Sequence, residues 1–260
     1  MINDTMLRHS PETGYPVDRV RRRGRVPARP DAGLPHDPWH RRLIRWLLHA
    51  TAAAFFVAAI AWLGLGLAGH VRGWLADGAA EAAASELEES WSQAAVSPGD
   101  VAPASSPGPG QAWATLHVPS LDLRDVPVFE GTESEQINVG IGHYPATEHP
   151  WQEGGNVGLA GHRTGWGQQF NRLDELAAGD TVYLETREAL FEYTVTGSAA
   201  VEPTDTWVLA DDPGPTAAAT GDSQLLTLTT CDGPDNEMRH VVWATMTAVV
   251  DKAGGGVPPR

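Results

Sequence analysis

Thr227-Leu228-Thr229-Thr230-Cys231 is a run of β-branched and aliphatic residues that ends on the chain's single cysteine. Asp232-Gly233-Pro234-Asp235 follows as a tight, acidic turn signal, and the next β-type run carries Arg239. The pattern predicts that Cys231 and Arg239 lie on adjacent strands. A lone thiol has no intramolecular disulfide partner, and His162 stands upstream in a Gly-rich stretch from which its ring could be brought beside the sulfur. On its own, a free cysteine reads as a small buried apolar residue. The company of His162 and Arg239 is what makes Cys231 a candidate nucleophile.

Outward from this stretch, short β-type runs separated by Gly, Pro and Asp signals recur at 113–118, 126–129, 157–160, 181–185, 191–201, 225–230 and 241–250. Two short helices are expected at 134–137 and 170–176. A mainly β domain of this size would expose sheet edges if left open, so a closed barrel is the natural solution.

Charge divides the rest of the 260 residues sharply. Residues 1–45 hold ten arginines and five acids, residues 46–70 hold no formal charge, and the remainder carries a net charge of −20. From Trp46 to Ala68 only His49 and Thr51 interrupt an apolar run. At about 1.5 Å per residue it is long enough to cross a hydrocarbon core about 30 Å thick. A cleaved signal peptide fits less well, because the charged leader is long and no clean small-residue cleavage site follows. Arg41, Arg42 and Arg45 abut one end of the run, which by the positive-inside rule puts the N-terminus in the cytoplasm and the acidic domain outside. That acidity argues against a nucleic-acid partner, whose phosphates it would repel.

The expected organisation is a disordered basic cytoplasmic leader (1–42), a transmembrane helix (43–70), a helical stalk and Pro/Gly linker (71–110), a catalytic barrel (111–251) and a C-terminal tail (252–260). The stalk is Ala- and Glu-rich, and the linker from Ser97 to Gly110 has four prolines and three glycines, too many for a packed core.

Thr227–Cys231 resembles the Thr-Leu-X-Thr-Cys signature of the sortases, membrane-anchored cysteine transpeptidases of Gram-positive bacteria. Leu159-Ala160-Gly161-His162-Arg163 resembles the segment that bears the family's catalytic histidine, and Arg239 stands where the family has its active-site arginine. Gly142-His143-Tyr144-Pro145-Ala146-Thr147 and Phe170-Asn171-Arg172-Leu173 resemble family segments as well. The similarity covers about residues 113–247 and is strongest with the class E sortases of actinobacteria. Asp37-Pro38-Trp39 imitates the lid motif of pilin-polymerising members but precedes the apolar run, on the wrong side for a lid.

The resemblance implies a closed eight-stranded sortase-type β-barrel with short helices, preceded by one transmembrane helix and a helical stalk. It implies Cys231 as nucleophile, His162 as proton donor and acceptor, Arg239 as the fixed positive charge, and Thr230 with the Cys231 backbone as oxyanion or substrate contacts. The implied partners are surface proteins with a Leu-Ala/Pro-X-Thr-Gly type sorting signal and an amine of a peptidoglycan precursor or cross-bridge, with membrane lipid around the transmembrane helix and no cofactor. A class D-like or pilin-polymerising sortase, or an inactive sortase-like binding protein, are the alternatives. A papain-like peptidase fits less well, because His162 precedes a strand-borne cysteine. His143, His149 and His162 fall within twenty residues, but no second cysteine and no His-X-X-X-His spacing accompanies them, so the sequence assigns no metal.

Overall fold

The computed structural model describes residues 38–93, 96–97, 99–217 and 224–254, so the predicted leader up to residue 37 and the tail from 255 lie outside the described residues. A single helix, α1 (Trp39–Ser92), covers both the expected membrane span and the expected stalk. It contains an apolar window with a mean hydropathy of 2.0, none of it buried. Phe55, Trp62 and Leu65 are each more than 70% exposed along it, and its length and composition fit a membrane span. Further along, Ala84 and Leu87 are buried, and the Lys252 ammonium lies 4.6 Å from the Trp91 ring centroid.

Among the described residues the eight strands are β1 (Ala112–Val118), β2 (Leu123–Glu130), β3 (Ile141–His143), β4 (Asn156–Ala160), β5 (Thr181–Glu185), β6 (Ala189–Val201), β7 (Leu225–Asp232) and β8 (Met238–Asp251). They close a barrel in the order β1-β2-β3-β4-β7-β8-β6-β5. All seven expected β runs fall on strands, and the eighth strand, β3, is an addition. It spans three residues and is held between β2, to which it is parallel, and β4, to which it is antiparallel. The helix α2 (Ser134–Ile137) stands where it was expected, whereas 170–176 yields only a single 3-10 turn at Leu173–Glu175.

Alternation along the strands sorts side chains to two faces. Leu226 and Leu228 of β7, Val242 and Ala244 of β8, and Val157 and Leu159 of β4 point inward to a core shared with Leu116, Val128, Ile141, Leu184 and Phe191. The intervening residues point outward. Beneath the β6–β7 connection, Val241 and Trp243 form a second, smaller cluster with Val201, Val208 and Ala217. That connection is pinned to the outer face of the sheet. The Trp243 indole N–H donates to the Val208 carbonyl at 3.1 Å, the Asn156 amide donates to Val208 and Ala210, and the Thr227 hydroxyl donates to Asn156 Oδ1 at 2.7 Å.

Candidate active site

The neighbouring strands β4, β7 and β8 lead to the sequence-predicted residues. In the parallel pair β4/β7, Asn156 stands beside Leu225 and each later pair keeps step up to Ala160 beside Thr229. β4 ends there; the Gly161 N–H still donates to the Thr229 carbonyl, so the His162 segment leaves β4 beside the end of β7 that carries Cys231. In the antiparallel pair β7/β8, Cys231 is opposite Arg239. Neighbouring strands lie about 4.8 Å apart, so Cys231 and Arg239 are one strand spacing apart. Parity puts Cys231 and Arg239 on the outer face, one row beyond Thr229 and Val241. His162, Cys231 and Arg239 are each partly exposed.

Local chemistry holds these segments in place. The β7–β8 turn reverses through Gly233 at φ 78° and Asn236 at φ 58°, left-handed conformations that suit glycine and asparagine. Within it the Arg239 Nη1 donates to the carbonyls of Asn236 at 3.0 Å and Met238 at 2.9 Å, so the guanidinium is tied to the turn. On the His162 side, Gly161 N–H donates to the Thr229 carbonyl and the Thr230 hydroxyl donates to the Gly161 carbonyl at 2.9 Å. The Thr230 hydroxyl is therefore spent on positioning the histidine segment. A Cβ on Gly161 would lie 2.7 Å from Phe170 Cδ2, so only glycine lets the chain pass over that buried ring.

Four further residues stand around these segments, none of them read from the sequence as functional. Asn138, just past α2, places its Oδ1 3.0 Å from His162 Nε2; the amide oxygen only accepts, so Nε2 carries a proton and Nδ1 faces away from this bond. Burial lowers the His162 pKa from its ordinary value. The Tyr144 hydroxyl pairs with Thr229 Oγ1 at 3.0 Å on the same outer face. Arg163 ties the histidine segment to the cysteine turn, with Nη2 3.0 Å from Asp174 and Nη1 3.5 Å from Asp232. His240, opposite Thr230, has its pKa lowered by burial, against the opposing pull of Asp232 and Asp174.

This arrangement can perform acyl transfer: a partly exposed thiol, a ring with one nitrogen anchored and one left for proton transfer, and a guanidinium across the strand. The sortase domain profile matches residues 116–247. Sortase SrtE1 of Streptomyces coelicolor is 36% identical over 177 residues, covering 64% of this chain and 47% of that protein, so the chain spans about half the length of this relative. Sortase SrtE2 of the same organism is 28% identical over 72% of this chain and 76% of its own length. Among solved structures, sortase E1 from Streptomyces coelicolor with a tripeptide in its active site superposes with a TM-score of 0.54 at 32% identity, covering 59% of this chain and 98% of that one. Sortase E from Streptomyces avermitilis gives a TM-score of 0.52 at 32% identity over 58% of this chain and 97% of that one.

Proposed function

The chain belongs to the sortase family, and from that premise we propose that it is a membrane-anchored transpeptidase whose nucleophile is Cys231. The observation that supports the proposal is that Cys231 stands opposite Arg239 at the end of β7, beside the end of β4 from which the His162 segment continues. The Cys231 thiolate attacks the carbonyl of the threonine in a Leu-Ala-X-Thr-Gly or Leu-Pro-X-Thr-Gly sorting signal. The C–N bond to glycine breaks, and imidazolium His162 gives its Nδ1 proton to the departing amine. The threonine carbonyl is then held as a thioester. An incoming amine attacks it, loses a proton to the same ring, and expels the thiolate with a new amide bond formed.

Protonation state governs the rate. With ordinary pKa values of about 8.5 for Cys and 6.5 for His, thiolate and imidazolium coexist at neutral pH in about one molecule in a hundred. Burial of His162 lowers that fraction further, and the hydrogen bond that its Nε2 donates to Asn138 works against the loss. Arg239 adds a charge that never titrates, and its fork is held by the turn carbonyls. In the membrane, Arg41, Arg42 and Arg45 keep the N-terminus cytoplasmic, so the barrel works outside on surface proteins and an amine of the cell-wall peptidoglycan.

The test is transfer of fluorogenic Leu-Ala-X-Thr-Gly and Leu-Pro-X-Thr-Gly peptides to a panel of amines by the full chain in detergent micelles. Wild type should form both the thioester, trapped by mass spectrometry on Cys231, and the amide product. Cys231→Ala should form neither while melting as wild type does. Product from the alanine variant at the wild-type rate would refute the assignment.

A further inference from the structure

Inside the barrel, on the opposite sheet face from Cys231, three side chains that the proposed chemistry does not use converge. Glu130 ends β2, His143 ends β3 and stands beside it in register, and His149 lies in the β3–β4 connection. His143 is also the register partner of the core residue Leu159, which fixes its inward direction. His143 Nδ1 lies 2.9 Å and His149 Nε2 lies 3.1 Å from the same oxygen, Glu130 Oε2. One donor atom from each of the three falls within 4.8 Å of the other two. His143 is fully buried and Glu130 is 7% exposed.

The hydrogen bonds around His143 leave one cation to be supplied. Its Nε2 lies 3.0 Å from the Glu148 carbonyl, which only accepts, so Nε2 carries a hydrogen. Thr147 Oγ1, 3.2 Å from the same nitrogen, donates to the Tyr144 carbonyl and accepts from the Gly158 N–H, so it gives no proton to the ring. In the neutral tautomer, the Nδ1 lone pair therefore points at a carboxylate oxygen that a second imidazole also addresses. Two acceptors at 2.9 Å need a positive centre between them. A ring whose far nitrogen is bonded to a backbone carbonyl is the arrangement that orients metal-binding histidines. Two imidazoles and one carboxylate match the donor set of zinc-class ions, at bond lengths of about 2.0–2.1 Å. Tetrahedral ligands at that length sit about 3.3 Å apart, a few tenths of an ångström more than the contacts here. His149, on a connection and partly exposed, can supply the movement.

We propose that Glu130, His143 and His149 form a binding site for one zinc-class divalent metal ion, clamping β2, β3 and the β3–β4 connection together. Trp113 meets both imidazoles edge-on at 5.1–5.5 Å and Trp151 stacks on His149 at 4.6 Å, so the clamp is shielded by aromatic rings.

The test uses the full chain in micelles with Cys231→Ala, which removes the thiol as a competing ligand and makes the outcome independent of transpeptidation. In equilibrium dialysis against buffered zinc, the chain should bind one equivalent more than the same chain carrying His149→Gln. With free zinc about tenfold above Kd, its Tm should rise by about 4 °C, and His149→Gln or Glu130→Gln should abolish the rise. Cobalt(II) loading of the chain with both histidines intact gives a check that needs no ligand variant, through the visible bands of a tetrahedral ion. Equal zinc uptake with and without His149, no uptake at all, or a cobalt spectrum like that of the aquo ion would overturn the site and leave a proton as the shared cation.

Discussion

Replacing Asn138 by Asp puts a carboxylate where an amide oxygen now lies 3.0 Å from His162 Nε2, with no change of shape. In a site open to solvent, the water value of the dielectric applies, and two unit charges at that distance attract by about 1.4 kcal/mol, the worth of about one pKa unit. The sign favours imidazolium, so the His162 pKa rises. If catalysis uses the minor species that pairs thiolate with imidazolium, its population between the two pKa values grows about tenfold. A less acidic imidazolium is a weaker proton donor to the departing amine, which returns about a factor of three. The net expectation is a threefold to tenfold rise in kcat/KM near neutral pH, with the acid limb of the pH profile moved up by about one unit. Asn138→Leu should act in the opposite direction, lowering the limb and the rate. The assay is peptide transfer to a fixed amine across the pH range, with melting curves to show that both variants fold. An acid limb that stays put in a folded Asn138→Asp protein would refute the assignment of His162 as the titrating group.

Gly161→Ala should cost about 1–3 kcal/mol in denaturant unfolding, because its Cβ meets the fully buried Phe170 ring, and transfer should fall by more than tenfold as the adjoining His162 shifts; an alanine variant matching wild type in both would show that the segment has slack. His162 and His240 both have pKa values lowered by burial, so the folded state takes up fewer protons than the unfolded chain as pH falls below 6.5. Stability is thus full above that value and is lost as pH drops through the folded-state values. Calorimetry should find a lower Tm at about pH 5.5 than at about pH 7.5, and His240→Gln should flatten the difference.

The long strands were legible because β-branched and aromatic residues mark them between clear turn signals, as in β5 and β8. The three-residue β3 has no room for a pattern: Ile141-Gly142-His143 is strand only because β2 and β4 hold it on either side. The span and the stalk were each read as helical, and α1 runs through both, since Gly69 and Gly73 weaken a helix by propensity but do not end it without a competing cap. Cys231, His162 and Arg239 were readable from motif and order. Asn138 was not, because it reaches His162 across 24 positions through the tertiary placement of α2. Glu130, His143 and His149 carry no spacing signature either, since β2/β3 pairing and a loop create their meeting.

The core and the chemistry of this barrel are coupled through strand parity. A slip of one residue in β7 against its neighbours would turn Cys231 inward and carry Leu226 and Leu228 out, with Val242 of β8 losing its partner Leu228. Each such side chain contributes about 1.5–3 kcal/mol when fully buried, so three amount to about 5–9 kcal/mol, comparable to the whole stability of a typical domain. The slipped register is therefore not populated, and the sulfur stays on the outer face. Arg239 follows by the same count, because the turn at Gly233 and Asn236 fixes which β8 residue stands opposite Cys231. The His162 segment follows through β4, where Val157 and Leu159 must face the core. The polar side chains need no attraction for one another to hold these places: apolar burial on one face of the sheet sets the positions of the polar residues on the other.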